Sequence, residues 1–498
     1  MANDLETVMP GLLGDDRRNV CLIGRTSKKL RDAFTYCDLN LVKTSLKQAL
    51  FQCDEGARAV LILPENDAEL SKALAHLLVP ALDNGASFIA VISQDPYARA
   101  SALCGPEALA KRLSIKTNEA ELLPVNLVSF KQGWEYKAAI ICLTFDPGRA
   151  ASKCSLDYSG LPESAPSRQD KIIIHRAFSE FERINLEYLP GGQSGAKGPW
   201  LVSGQRPDGR EFVRFVIKTG SIRKIKEEID TMSADCLNHI PFPHFPPLIA
   251  DRCVVSSQKR AIVSMFVDRA ILFEDYILTH SPTLAVAALF DGPFRLWRAG
   301  LVRPEPVNIG PLFQTRGIIP KNPKDLNIAW QEAKELNSKV LTPTKILNGL
   351  LNHPPVDVYK VVSHGDLHLR NIFVRQNNTE IILIDFSKST EDPASRDAAT
   401  LDVSLAFDIP ERERDRPSDK LCLDFLYQTP LFGCHVTPQM CKRAEAIEQL
   451  RKQISNTVSE TEYRLAVASS LLWHAHNRRN SIAYLCASRI IKTLEKSQ

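Results

Sequence analysis

The chain has 498 residues, 44% hydrophobic and 24% charged, an average globular composition that excludes disordered and collagen-like classes and a length that asks for roughly two to four domains. Its 62 basic and 58 acidic side chains leave a formal net charge of +4, too even a balance to imply a nucleic-acid partner. Twelve cysteines, scattered without paired CxxC spacing, read better as reduced intracellular thiols than as a disulfide framework.

The first stretch, MANDLETVMPGLLGDDRR, has acids where a signal peptide needs a basic region, and no later apolar run approaches membrane-spanning length. The expectation is a cytoplasmic protein with no membrane partner. Over residues 1–150 the runs NVCLIG, ARAVLILP, SFIAVIS and AAIICLTF are predicted as buried strands alternating with amphipathic helices, hence a small parallel α/β domain. Residues 151–175, rich in Ser, Pro, Gly and Ala, are predicted as a linker.

Next come a glycine cluster, LPGGQSGAKGPWLV, a turn at RPDGRE and the alternating strand FVRFVIK ending at Lys218, which together predict an antiparallel sheet within residues 176–268. After Gly220, Ile222, Ile225, Ile229 and Met232 share one helical face. At about a hundred degrees per residue, Glu228 flanks that face and Glu227 points away from it. AIVSMFVD, Ala261 to Asp268, is predicted as a further strand. Residues 269–498 read as mainly helical, interrupted by a Gly/Pro-rich segment from Asn308 to Asp325 that is long enough for a lid or a partner surface. RNIFV, RQNNTE and IILIDF are predicted as a hairpin, and the last hundred residues as helices, the longest stretch running from Tyr463 to Leu494.

HGDLHLRN, His364 to Asn371, precedes that hairpin. Phosphoryl transfer needs a base that orients a hydroxyl, oxygen ligands for a cation, and donors around the transferring oxygens. Asp366 is the candidate base. Asn371 begins one strand of the hairpin and Asp385 ends the other, so the turn brings two oxygen donors to one end, where a hard divalent cation can be shared. His368 and Arg370 face phosphate or substrate in one reading and stabilise the loop in the other. Asp397 and Asp402 read as starting and lining a helix.

HGDLHLRNIFV with the later IILIDFS is similar to the catalytic and metal-binding segments of the aminoglycoside phosphotransferase and choline kinase branch of the protein-kinase-like superfamily. The resemblance implies a bilobal fold, with a sheet-based N-lobe over 176–268 and a mainly helical C-lobe over 269–498. It implies that Asp366 is the catalytic base, that Asn371 and Asp385 hold Mg2+, and that His364 orients the loop. It further implies that Gly191, Gly192, Ser194 and Gly195 cover the phosphates of ATP, that Lys218 holds those phosphates with Glu228 as its partner, and that MFVD offers backbone contacts to adenine. The acceptor is then a hydroxyl of an unidentified small molecule or protein. Two departures, GGQSGA in place of GxGxxG spacing and Ser387 after Asp385 and Phe386, point away from a regulated eukaryotic-type protein kinase.

LPGGQSGA and SHGDLHLRN also resemble the bacterial kinase-like domains of conflict-associated ternary systems, which implies a setting in signalling or defence. The N-terminal domain loosely resembles a response-regulator receiver, but its strand ends read IGRT (Ile23 to Thr26) and LPEN (Leu63 to Asn66), without the acidic pair or a phosphorylatable aspartate. That reading leaves it a docking module for a protein partner. The alternative for the whole chain is a nucleotide-binding pseudokinase scaffold, against which the complete catalytic set counts.

Overall fold

The apolar runs near the N-terminus are too short for helices and too continuous to face water, and they pair as the centre of a sheet. In the computed structural model, strands β1 (Asn19–Ile23), β2 (Asn40–Lys43), β3 (Ala59–Ile62), β4 (Ser87–Ile92) and β5 (Val125–Ser129) are all parallel, in the order β2-β1-β3-β4-β5. Residues 15–92, 102–144, 148–150, 154–189, 199–209, 214–236, 239–242, 244–295, 303–375, 380–408, 426–428, 431–432 and 442–497 are described. Helices α1 (Lys28–Tyr36), α2 (Leu46–Asp54), α3 (Asp67–Asp83), α4 (Pro106–Leu113) and α5 (Trp134–Thr144) accompany the sheet. Side chains alternate along each strand. Val60, Ile62 and Phe88 pack with Leu74 and Leu77 of α3, whereas Leu61, Ile89 and Val91 pack with Phe34 of α1 and Trp134 of α5. Such an order, with the reversal between β1 and β3, is that of flavodoxin-like doubly wound sheets.

One expected strand is a helix. Of AAIICLTF, the described residues Ala138 to Thr144 lie in α5, because an uninterrupted apolar run carries no period that separates strand from helix. Ala138, Ala139 and Cys142 face inward and Ile140 and Leu143 are exposed. The stretch read as a linker also carries structure, namely β6 (Ser155–Ser159) and α6 (Arg168–Ala177). Ser167 and Asp170 close a capping box that starts α6, a local signal that outweighs the loop-like composition before it.

The chain divides into two compact units, one of Met1–Ile229 with Pro247–Phe266 and one of Asp230–Pro246 with Val267–Gln498. The first unit holds the parallel sheet and a second sheet, β6 with β7 (Arg183–Tyr188), β8 (Trp200–Gln205), β9 (Phe215–Gly220) and β10 (Arg260–Met265). Its order is β10-β9-β8-β7-β6, antiparallel except for the parallel β6–β7 edge. Trp200, Phe178, Phe215 and Val263 form its core. Helix α7 (Ile222–Thr231) follows β9 at once.

In the second unit β11 (Ala270–Leu272), β15 (Ile372–Arg375) and β16 (Ile381–Leu383) form one small sheet, while β12 (Glu305–Val307) pairs with β13 (Val356–Val358) and β14 (Lys360–Ser363) with β17 (Thr390–Pro393). Among its helices are α8 (Phe273–Thr279), α9 (Ile309–Thr315), α10 (Ser395–Phe407), α11 (Lys442–Ile454), α12 (Glu460–Asn477) and α13 (Ser481–Ser497). The segment long enough for a lid or a partner surface is packed: it contains α9, it buries Ile309, Phe313, Ile318 and Ile319, and a Cβ at Gly310 would overlap the Leu350 carbonyl. The long C-terminal stretch is two helices, broken where Arg479 takes a positive φ of 53°. Among the described residues no helix is long and apolar enough to cross a membrane.

Burial lifts the Glu462 carboxyl to about 7, although it accepts a bond from Ser395 N at 3.3 Å. A carboxyl whose folded value exceeds its unfolded one, about 4.3, gives stability that is complete below the unfolded value and lost as pH rises through the folded value. Glu462→Gln keeps the accepting oxygen and cannot ionise, so it is expected to be indistinguishable from the parent near pH 4. It should be more stable at pH 8, by on the order of a few kcal/mol. Denaturant midpoints at the two pH values measure the difference, and equal midpoints at pH 8 would contradict the burial argument.

Candidate active site

The HGD loop joins β14 to a single turn of 3-10 helix, Leu369–Asn371, which leads into β15. Gly365 sits at φ +76°, where a Cβ would collide with the Lys388 carbonyl, so glycine is required by both conformation and space. Asp397, one turn into α10, accepts the backbone N–H of His364 at 2.7 Å and of Gly365 at 2.9 Å. Arg396 donates to the Gly365 carbonyl at 2.9 Å. Buried backbone groups in a tight loop need such partners, and helix α10 supplies them. Burial raises the Asp397 carboxyl above its usual range, while His364 and the two amides pull it back.

The loop and the hairpin are sewn together by backbone atoms. Asn371 Nδ2 donates to the Asp366 carbonyl at 2.9 Å, Ile384 N donates to the Asn371 carbonyl at 3.1 Å, and His364 Nε2 donates to the Ile384 carbonyl at 2.9 Å. Ile372 lies opposite Leu383 in the β15–β16 ladder, which sets Asn371 and Asp385 at the same end of the hairpin. With the amide nitrogen of Asn371 committed to the loop, the remaining donor atom of that side chain is an oxygen. Asp385 has φ +60°, a left-handed conformation that a non-glycine residue adopts at a cost and that collects at functional sites.

Asp366 is 27% exposed and accepts a bond from Lys388 Nζ at 2.8 Å. His368 is partly buried, which lowers its basicity, and it sits in the fields of Asp366, Asp408 and Asp385. Its Nδ1 accepts from Arg370 N at 3.3 Å, and Arg370 Nε donates to Glu274 of α8 at 2.7 Å. Both side chains therefore brace the loop.

In the first unit, Lys218 of β9 and Glu228 of α7 form an ion pair at 3.0 Å, with side chains 14% and 8% exposed. Glu227 instead bonds Arg223 on the exposed side of the helix. Gly191, Gly192, Ser194 and Gly195 lie outside the described residues.

An oxygen-only set of one carboxylate and one amide, on the end of a rigid hairpin, suits a hard divalent cation that keeps other ligands from solvent or phosphate. The donor chemistry at Asn371 and Asp385 therefore fits Mg2+.

Residues 311–428 match the model of the APH family, described as the phosphotransferase enzyme family. That segment, less than half of the chain, is similar to phosphotransferases. The matched residues include the whole HGD loop, the hairpin and α10. No curated protein matches the chain. Among solved structures it is similar to an aminoglycoside-3'-phosphotransferase of type VIII at 16% identity and a TM-score of 0.31, over 54% of this chain and 93% of that one. An ethanolamine kinase of Plasmodium vivax has 13% identity and a TM-score of 0.29, over 62% and 81%. A spectinomycin phosphotransferase, solved in complex with ADP and spectinomycin, has 12% identity and a TM-score of 0.35, over 62% and 93%. Likenesses at such scores carry no weight for function.

The motif did not mark Lys388 or Glu274, and it marked Asp397 only as a helix-starting acid. Lys388 stands three residues after Asp385 in DFSK, and no spacing rule flags a lysine there. Its role follows from the 2.8 Å contact alone.

Proposed function

We propose that the protein transfers the γ-phosphoryl group of ATP, with Mg2+, to a hydroxyl of a small molecule or a protein. The observation that carries the reading is the convergence of Asp366, Asn371 and the left-handed Asp385 on one loop and hairpin, fixed by three backbone-mediated hydrogen bonds. The family match over the same residues supports it.

Asp366 orients the acceptor hydroxyl and takes its proton as the bond to phosphorus forms. Lys388 holds the Asp366 carboxylate in place through their 2.8 Å ion pair. Asn371 and Asp385 hold the cation, which supplies neutralisation of phosphate charge when bound. Lys218, kept extended by Glu228, contacts the nucleotide phosphates as a point charge. Chemistry of this kind is mostly positioning and charge compensation, and the rigid bracing of the loop by Asp397, Arg396 and Glu274 is what it requires.

The parallel sheet of the first unit is read as a receiver-type module that lacks phosphorylation chemistry. At the strand ends where a receiver keeps its acids, Arg25 and Glu65 form an exposed ion pair at 3.0 Å. Such a module is left with protein contacts as its role.

The test is a thermal-shift titration of the full chain with ATP and MgCl2, followed by transfer of labelled γ-phosphate to metabolite and protein fractions. Stabilisation with transfer is the expected result. Stabilisation without transfer to water or any fraction would favour the scaffold reading, and no stabilisation would remove the nucleotide altogether.

A further inference from the structure

The ion pair of Lys218 and Glu228 is held from outside the second sheet. Helix α7 carries Glu228, and its first residue, Ile222, is completely buried in the same apolar cluster as Leu74 and Leu78 of α3, Leu113 of α4 and Leu123. Ile225, one turn on, is also fully buried. Arg223 bonds Glu227 and lies in the field of Glu119, an acid of the turn that follows α4. The N-terminal end of α7 is therefore planted in the core of the parallel α/β module, six residues before Glu228.

The lysine side of the pair is held in the same way. Thr219, the residue after Lys218, donates to Asp170 of α6 at 2.6 Å, and Lys259 bonds the same buried carboxylate. At the other end of α6 the fully buried Arg176 donates to the carbonyls of Leu82 at the end of α3, of Arg149 at 2.7 Å and of Val255. A guanidinium sealed among carbonyls cannot leave without large cost, so α6 and the parallel module move as one.

We propose that the N-terminal α/β module sets the Lys218–Glu228 contact, with Ile222 as the positioning residue through which it acts. The inference rests on the nucleotide reading given above and adds a regulatory purpose to the module: whatever shifts the apolar cluster around Ile222 shifts α7 by its end and moves Glu228 relative to Lys218. A helix anchored at one end and bearing a charge two turns along is a lever, since its residues move together.

The experiment is a double-mutant cycle on the full chain. ATP affinity in the presence of MgCl2 and the rate of ATP hydrolysis are measured for the parent, Ile222→Ala, Glu228→Gln and the double variant. Ile222→Ala is expected to weaken ATP binding by roughly two- to tenfold, and the same change in the Glu228→Gln background to add almost nothing, because its effect passes through the lost pair. Ile222→Val removes a single methyl, runs the same cycle on a smaller scale and replaces the alanine variant should that one fail to fold. A penalty for Ile222 substitution that persists undiminished without Glu228 would overturn the positioning role while leaving nucleotide binding intact. A parent protein that does not bind ATP would overturn the nucleotide reading and this inference together.

Discussion

On the proposed reading, Asp366→Ala is expected to lower phosphoryl transfer by about 10²- to 10⁴-fold, the range that a positioned general base contributes, and to leave ATP affinity within a few-fold of the parent. The separation follows from where the residue stands. Asp366 contacts neither Asn371 nor its own hairpin through its side chain; its backbone carbonyl makes that bond, so the alanine keeps it. The carboxylate partner that is lost is Lys388, a half-exposed lysine that water can satisfy. A fall in turnover at unchanged ATP affinity, measured by labelled-phosphate transfer and by titration, is the expected pair of results. An unchanged rate would take the base away from Asp366, and equal loss of binding would mean that the variant had disturbed the loop.

Asp402→Ala has the largest expected effect on stability. The Asp402 carboxylate is fully buried and accepts bonds from Arg451 Nε at 2.7 Å, Tyr427 Oη at 2.6 Å and Tyr463 Oη at 2.8 Å. Burial pulls the Arg451 guanidinium down and the Asp402 carboxylate more than reverses it, holding the arginine above its ordinary range. Burial, then the same carboxylate, pushes both tyrosines well above theirs. Removing the acid leaves a buried cation and two hydroxyls without it, which costs about 3–5 kcal/mol for the broken pair. The measurement is a denaturant midpoint. Replacing both partners, Asp402→Leu with Arg451→Met, should recover much of the loss because no charge is then left buried. A single variant within about 1 kcal/mol of the parent would show that the cluster is open to water. The consequence reaches the active site, because Asp402 lies on α10 five residues after Asp397, which caps the HGD loop.

Local sequence made part of the site legible. Asn371 and Asp385 flank a short hairpin, and two residues at the ends of paired strands must lie together whatever surrounds them. Helical phase separated Glu228 from Glu227 on the same grounds, because angular position around a helix depends only on spacing. Periodicity was silent where apolar residues ran on without a break, which is why Ala138 to Thr144 turned out to be helical. Composition misled within the stretch read as a linker, residues 151–175, and at Asn308 to Asp325, since glycine and proline mark turns but cannot tell an exposed loop from one whose flanking apolar residues are buried.

By itself the sequence determined the chemistry available: an HGD loop, an oxygen pair at one end of a hairpin, and a lysine and glutamate in phase to meet. Only the tertiary structure decided what holds those groups still. Lys388 reaches back 22 residues to Asp366, Asp397 reaches back 33 to His364, Glu274 reaches across 96 to Arg370, and Ile222 roots the helix of Glu228 in a cluster that also holds Leu74, Leu78, Leu113 and Leu123. Such contacts join segments whose separation along the chain carries no information about their distance, and the buried ones among them, at Asp397 and Ile222, form because burial leaves a charge or an apolar surface few other partners.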